Sequence, residues 1–212
     1  NAFGIPLWTP AMPKAFKTNS QLSTPAPRQN KVVYFPSCIN QTMGLPKKSP
    51  VEQALVSKMI ALLQKGGYEV IFPKNMEKLC CGTIWESKGM LDIADRKTAE
   101  LEAALWEASE QGRYPVLCDQ SPCLHRMRET IRRMKLYEPA EFIYTFLRDK
   151  LVFTPIDRPV AVHITCSMRK MGLADTIIAL ACLCSTKVIV PEEVGCCGFA
   201  GDRGFTYPEL NA

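Results

Sequence analysis

The residues of this chain that could do chemistry together are its cysteines. Ten occur among 212 residues, and most are laid out twice in the same order. Cys38 is followed by Cys80-Cys81-Gly82, and Cys166 is followed by Cys196-Cys197-Gly198. The flanks repeat as well. Met43-Gly44 follows Cys38 at the distance at which Met171-Gly172 follows Cys166. Glu69-Val70-Ile71-Phe72-Pro73 leads into the first pair as Lys187-Val188-Ile189-Val190-Pro191 leads into the second, and Glu86 and Asp202 stand equally far beyond. Matched flanks mark an internal duplication, which has to be read before anything else. A duplication built on thiols points to metal chemistry, because thiolates are soft donors that select iron–sulfur clusters, zinc or copper(I).

Cys118 and Cys123 extend the first set. Adjacent cysteines are poor disulfide partners for each other, since that bond has a demanding geometry. A chain of this size with long helices has no need of disulfide staples. The cysteines therefore read as thiolates in a reducing, cytoplasmic setting. Gly82 has no Cβ and would let the backbone approach a bulky inorganic core. Lys78, Arg126 and Arg128 lie near the first set in sequence, and Arg169, Lys170 and Arg203 near the second. Positive neighbours lower thiol pKa and offset the charge of a thiolate-bound cluster. The bland readings belong beside these. Arg126, Arg128, Arg132, Arg133 and Lys135 fit the solvated outer face of an amphipathic helix. Cys182 and Cys184 fit small buried hydrophobes. His125 and His163 read as structural, hydrogen-bonding histidines, and Met43 and Met171 as core.

The elements that must position the cysteines alternate between strand and helix. Short apolar strands are expected at 32–35, 68–72 and 115–118. Ser49-Pro50-Val51-Glu52 has the form of a capping box with proline at the first helical position, so a helix is expected from there to Gly66-Gly67. A longer helix follows Gly82, with Ala94, Thr98, Leu101, Leu105 and Ala108 on one stripe. Leu124, Met127, Ile131 and Met134 line a further helix, and 140–149 reads as another. The alternation restarts with a strand at 160–164, a helix at 173–184 and a strand at 187–190. This is an α/β pattern: two tandem, pseudo-symmetric units of mostly parallel sheet flanked by helices. The expected organisation is a proline-rich arm or linker at 1–30, which Phe3 and Trp8 could pin down, a first unit at 31–158 and a second, incomplete unit at 159–212. The shorter second unit suggests a piece of a longer protein. In open α/β sheets ligands bind at the carboxyl ends of the strands. Cys38, Cys80, Cys81, Cys118 and Cys123 come from three such ends and can converge on one point.

Composition bounds the alternatives. The net charge of +5 is mild and no nucleic-acid module accompanies it. The apolar run at 177–184 is too short to span a bilayer, and the sequence opens on no secretory signal peptide.

The pattern Cys … Cys-Cys-Gly … Cys, present twice, resembles the cysteine-rich CCG domain of heterodisulfide reductase B subunits, of glycolate oxidase iron–sulfur subunits and of their relatives. Val32-Val33-Tyr34-Phe35-Pro36-Ser37-Cys38, Cys118-Asp119-Gln120-Ser121-Pro122-Cys123 and Gly195-Cys196-Cys197-Gly198-Phe199-Ala200-Gly201-Asp202 carry the likeness. With Trp8-Thr9-Pro10 they are most similar to the C-terminal region of FAD- and iron–sulfur-containing D-lactate dehydrogenases. The resemblance implies an electron-transfer region that passes electrons from flavin towards a quinone or cytochrome acceptor. It implies a 4Fe–4S cluster at Cys38, Cys80, Cys81, Cys118 and Cys123, with Cys166, Cys196 and Cys197 as part of a second site. FAD would sit in a missing upstream domain, and flavin and ferredoxin-like domains of the same protein would be the partners. Peripheral association with the inner face of the cytoplasmic membrane is compatible with this. The usual closing Cys-x-x-Cys is replaced here by Cys118 and Cys123, set further apart. Two other readings stay open: a thiol–disulfide or heterodisulfide reductase module with its chemistry at the Cys-Cys site, and a structural zinc-binding interaction domain.

Overall fold

The computed structural model describes residues 30–46, 49–51 and 53–192, the backbone of Pro13–Ala15, and the isolated positions 195, 207 and 209. Cys196, Cys197, Gly198, Asp202 and Arg203 lie outside the described residues, as do Phe3 and Trp8.

The first unit is a four-stranded parallel sheet. Its strands are β2 (Asn30–Phe35), β4 (Tyr68–Ile71), β5 (Val116–Cys118) and β6 (Leu136–Tyr137), in the order β4-β2-β5-β6. Both faces are covered, as a parallel sheet requires, and alternate residues of β2 serve the two cores. Val33 and Phe35 pack with Leu101, Leu105, Leu124 and Met127, from α4 (Leu91–Ala108) and α5 (Ser121–Thr130). Val32 and Tyr34 face the other way, onto Val56, Ile60 and Leu63 of α2 (Leu55–Lys65) and onto Phe142 and Leu147. The last two come from α6 (Pro139–Phe142) and the π-helical turn Ile143–Leu147 that extends it.

Several expectations shift at their edges. The helix expected at Ser49 begins at Leu55, and Ser49 Oγ accepts from the Val51 N–H in a local turn ahead of it. Gly67, at φ +86°, ends that helix as expected. The helix with Leu124 and Met127 stops at Thr130, so Ile131 and Met134 are buried from the segment after it. The expected arm contributes a strand, β1 (Pro13–Ala15), antiparallel to β3 (Met43–Pro46). The strand expected at 160–164 lies earlier, at Ile156–Ala161.

That strand, β7, begins the second unit. It pairs in parallel with β8 (Ser185–Ile189), joined through α7 (Cys166–Lys170) and α8 (Ala174–Cys184). The duplication shows in the register. Val32 pairs with Val70 and Val33 with Ile71; their counterparts Val160 and Ala161 pair with Val188 and Ile189. Ser37 and Thr165 each cap the short helix that starts at the following cysteine. Met171 packs against both the first unit's core and the second's, and α7 and α8 contact α5 and α6. Among the described residues no helix is long and apolar enough to cross a membrane.

Candidate functional site

The carboxyl ends of β2, β4 and β5 lie on one edge of the first sheet, since all three run in parallel. Each delivers cysteine. After β2, Pro36-Ser37 turns the chain so that Cys38 opens α1 (Cys38–Thr42). After β4 a short 3₁₀ turn leads to Cys80-Cys81-Gly82, and Gly82 starts α3 (Thr83–Glu86). Cys118 is the last residue of β5, and Cys123 lies in the first turn of α5.

The thiols meet. The Cys80, Cys81 and Cys123 thiols lie near enough to influence one another, and the Cys38 thiol feels the charge of Cys80. The Cys81 thiol donates to Thr83 Oγ1 at 3.3 Å, and the Gly82 N–H donates to Cys80 Sγ at 3.4 Å. Cys118 and Cys81 are buried in the same core cluster, and the Cys118 thiol feels the charge of Cys81. Cys38 is exposed, Cys80 and Cys123 are half-buried, and Cys81 and Cys118 are buried. The set is graded from surface to core.

Three groups hold these loops. The Asp119 carboxylate accepts from the Tyr34 hydroxyl at 2.6 Å and from the Ser37 N–H at 2.8 Å. It thereby ties the turn before Cys38 to the turn after Cys118. Arg126 donates from Nε to the Cys81 carbonyl at 3.2 Å, and Thr98 donates to the same oxygen at 2.8 Å. Gly82 has a packing reason as well as the one its sequence suggests. Its φ is +89°, and an added Cβ would stand 2.5 Å from the Ala94 carbonyl oxygen and 2.8 Å from Arg126 Nε. The missing side chain makes room for the packed helices.

Electrostatics also depart from expectation. Lys97 draws Cys80 downward, but each shifted thiol of the first set ends up raised. The adjacent Cys81 thiol, then burial, pushes Cys80 upward. Cys81 rises to about 11, because the Cys123 thiol beside it raises it more than Cys80 lowers it, and burial adds to the rise. Burial raises Cys118 well above 9.0, and burial, then Cys80, raises Cys38. Arg126 gives its charge to Glu86 and Asp95 instead, at 2.6 and 2.7 Å. Arg126 is buried and Arg128 half-buried against the Leu136 carbonyl and Glu141, so neither lies on a solvated outer face. Cys182 and Cys184 are exposed, not buried, because α8 keeps none of its residues fully covered. Met43 is exposed as well. His125 pairs with Glu129 one helical turn on.

Sequence reasoning gave no role to Asp119 and Tyr34, and it misread Arg126 as a solvated cation or a charge acting on the thiols. Arg126 had a signal: it sits three residues after Cys123 on α5, hence on the same helix face. Asp119 had a weaker one in following a buried strand end. In the second unit Cys166 opens α7 and is exposed, while the pair that would face it lies outside the described residues.

The donor set suits a thiolate-bound centre. Among the described residues no three of His, Cys, Asp and Glu are gathered closely enough to enclose one metal ion. Zinc needs four ligands about one point, with Zn–S of about 2.3 Å. A polynuclear cluster takes its thiolates on different irons and accepts a more spread set.

A family model described as a cysteine-rich domain, CCG, matches residues 32–128 and again residues 160–211. The chain belongs to the CCG family. Two copies are present, the second shorter. CCG domains occur in oxidoreductases, are typical of heterodisulfide reductase-like electron-transfer modules, and typically bind iron–sulfur clusters. No curated protein and no solved structure matches the chain.

Proposed function

We propose that this CCG chain is an electron-transfer region whose first unit holds a 4Fe–4S cluster through Cys38, Cys80, Cys81, Cys118 and Cys123. The observation that carries the reading is the convergence of these five thiols from three strand ends on one edge. When bound, such a cluster accepts and donates single electrons, at a potential set by thiolate number, nearby charge and burial. The chain's own contribution is to gather the thiols, exclude water at Cys81 and Cys118, and leave Cys38 at the surface where electrons would enter or leave. In the fuller reading the region belongs to an FAD-linked D-lactate (2-hydroxy acid) dehydrogenase. A flavin domain would oxidise the substrate and a quinone or cytochrome would be the acceptor, in the cytoplasm or at the inner face of its membrane. Cys166, Cys196 and Cys197 would form part of a second site.

Anaerobic reconstitution with iron and sulfide tests the reading. The chain should bind iron and acid-labile sulfide in equal amounts and show a reducible cluster by electron paramagnetic resonance. Zinc in place of iron under those conditions would overturn it. The isolated chain should neither bind FAD tightly nor oxidise D-lactate, because hydride transfer needs an organic cofactor. The Cys81–Cys123 contact favours a second reading, thiol–disulfide chemistry. A Cys81–Cys123 disulfide that forms and is reduced reversibly in iron-free protein, alongside failed reconstitution, would support it instead.

A further inference from the structure

Arg126 is an unusual helix cation. Only 4% of it is exposed, and each of its three nitrogens finds a partner. Nε reaches the Cys81 carbonyl and Thr98 Oγ1, both at 3.2 Å, while the two terminal nitrogens hold Glu86 at 2.6 Å and Asp95 at 2.7 Å. These partners belong to different elements. Cys81 is in the cysteine turn, Glu86 in the helix that Gly82 starts, and Thr98 and Asp95 are in α4. Gly82 closes the arrangement, since a Cβ there would collide with Arg126 itself. A guanidinium is suited to this because its planar fork presents five donors in fixed directions, whereas an ammonium is a flexible point charge.

We propose that Arg126 is a positioning residue. It fixes the Cys80-Cys81-Gly82 turn in the metal-free fold, so that Cys81 stands ready beside Cys80 and Cys123 before any metal arrives. The turn's other bonds are mostly local, from the Gly82 N–H to Cys80 Sγ, from the Cys81 thiol to Thr83 Oγ1 and from the Trp85 and Glu86 N–H groups to the Gly82 carbonyl, so Arg126 and Thr98 are what tie it to the helices packed around it. Cys80 and Cys81 lie outside any helix or strand, and apart from Arg126 the Cys81 carbonyl accepts only from Thr98 among the described residues. The duplication adds a separate indication. An acidic residue recurs at the same step beyond each cysteine pair, as Glu86 and as Asp202. In the first unit the structure gives that acid a task, which is to hold the guanidinium under the turn.

The test reads thiol access in the reduced, metal-free chain, by the rate at which each cysteine is alkylated, resolved by peptide mass spectrometry. Cys118 is the internal reference, because it is buried in a central strand. In Arg126→Met, labelling of Cys81 should rise about tenfold while Cys118 stays protected, as local opening requires. Arg126→Lys should restore little of the protection, since it keeps the charge and loses the fork. Arg133→Met removes an exposed ion pair to Glu102 and should leave both rates unchanged. If Arg126→Met fails to fold, Glu86→Gln carries the test and should raise Cys81 labelling by a smaller factor. Unchanged Cys81 labelling in a folded variant would overturn the proposal. So would a parallel rise at Cys118, which would make Arg126 a general stabiliser. The inference rests on the cluster reading only in a second readout. After reconstitution, Arg126→Lys should bind less iron and show a shifted midpoint potential, and an unshifted potential at full iron content would overturn it. If wild type takes up no cluster, the cluster reading fails while the labelling pattern still decides the role of Arg126.

Discussion

The two units share a register and differ in burial. In the first, Val32, Val33, Tyr34 and Phe35 are at most 1% exposed. In the second, the counterpart strand β7 is exposed along most of its length, and Ile189 of β8 remains 44% exposed. Both units nevertheless pair their first two strands at equivalent residues and cap the helix after the first cysteine with a hydroxyl. The strand–helix–strand core of the repeat thus sets register by itself, while α4, β5 and α5 supply the burial. They also supply Cys118, Cys123 and Arg126. The first unit brings five cysteines to one edge because it has these elements packed on it.

The largest effect should come from breaking that packing. Leu101→Ala, at a fully buried site between α4 and β2, should cost about 2–5 kcal/mol. Ile189→Ala on the exposed strand should cost under about 0.5 kcal/mol. Urea unfolding measures both. Equal losses would mean that the second unit carries as much of the stability as the first.

Glycine gives a second contrast. Gly82 and Gly172 both have positive φ, +89° and +70°, but a Cβ at Gly172 meets nothing within 4 Å. Gly172→Ala should therefore cost only the backbone strain, about 1–2 kcal/mol. Gly82→Ala adds a collision with Ala94, Thr98 and Arg126, and should cost more while impairing iron uptake. Matching losses in the two variants would show that the turn yields.

This contrast marks what could be read from residues alone. The duplication, the parallel α/β class and the strand ends at the cysteines were legible because strand periodicity and thiol spacing are local. The packing role of Gly82 was not, since it depends on α4 and α5 arriving from elsewhere in the chain. Arg126 was misread for the same reason: a cation on a short helix looks solvated until its burying partners are known. The thiol pKa values went the other way because burial and the neighbouring thiols, which appear only in the folded chain, outweigh any charge near in sequence.

A smaller effect separates the units by pH. Tyr34 is raised by burial, then by Asp119, and Cys118 and Cys81 are raised as described. All three belong to the first unit. On unfolding they return towards ordinary values of 10.0 for the tyrosine and 9.0 for the cysteines. Above about pH 9 the unfolded chain therefore holds fewer protons than the folded one, and stability must fall as pH rises. Their contribution is complete below that pH and is lost progressively through the folded values. The urea midpoint of the metal-free chain should drop between about pH 8 and 10.5, less steeply in Tyr34→Phe. A flat profile would mean that these groups are not held protonated in the fold.

The most direct test of the central claim compares iron bound by two variants after the same anaerobic reconstitution. One carries serine at Cys80 and Cys81, the other at Cys166, Cys196 and Cys197. If the first unit holds the cluster, the second variant keeps about four irons per chain, as a 4Fe–4S centre requires, and the first loses them. Full iron content and an unchanged spectrum in the Cys80, Cys81 variant would contradict the account.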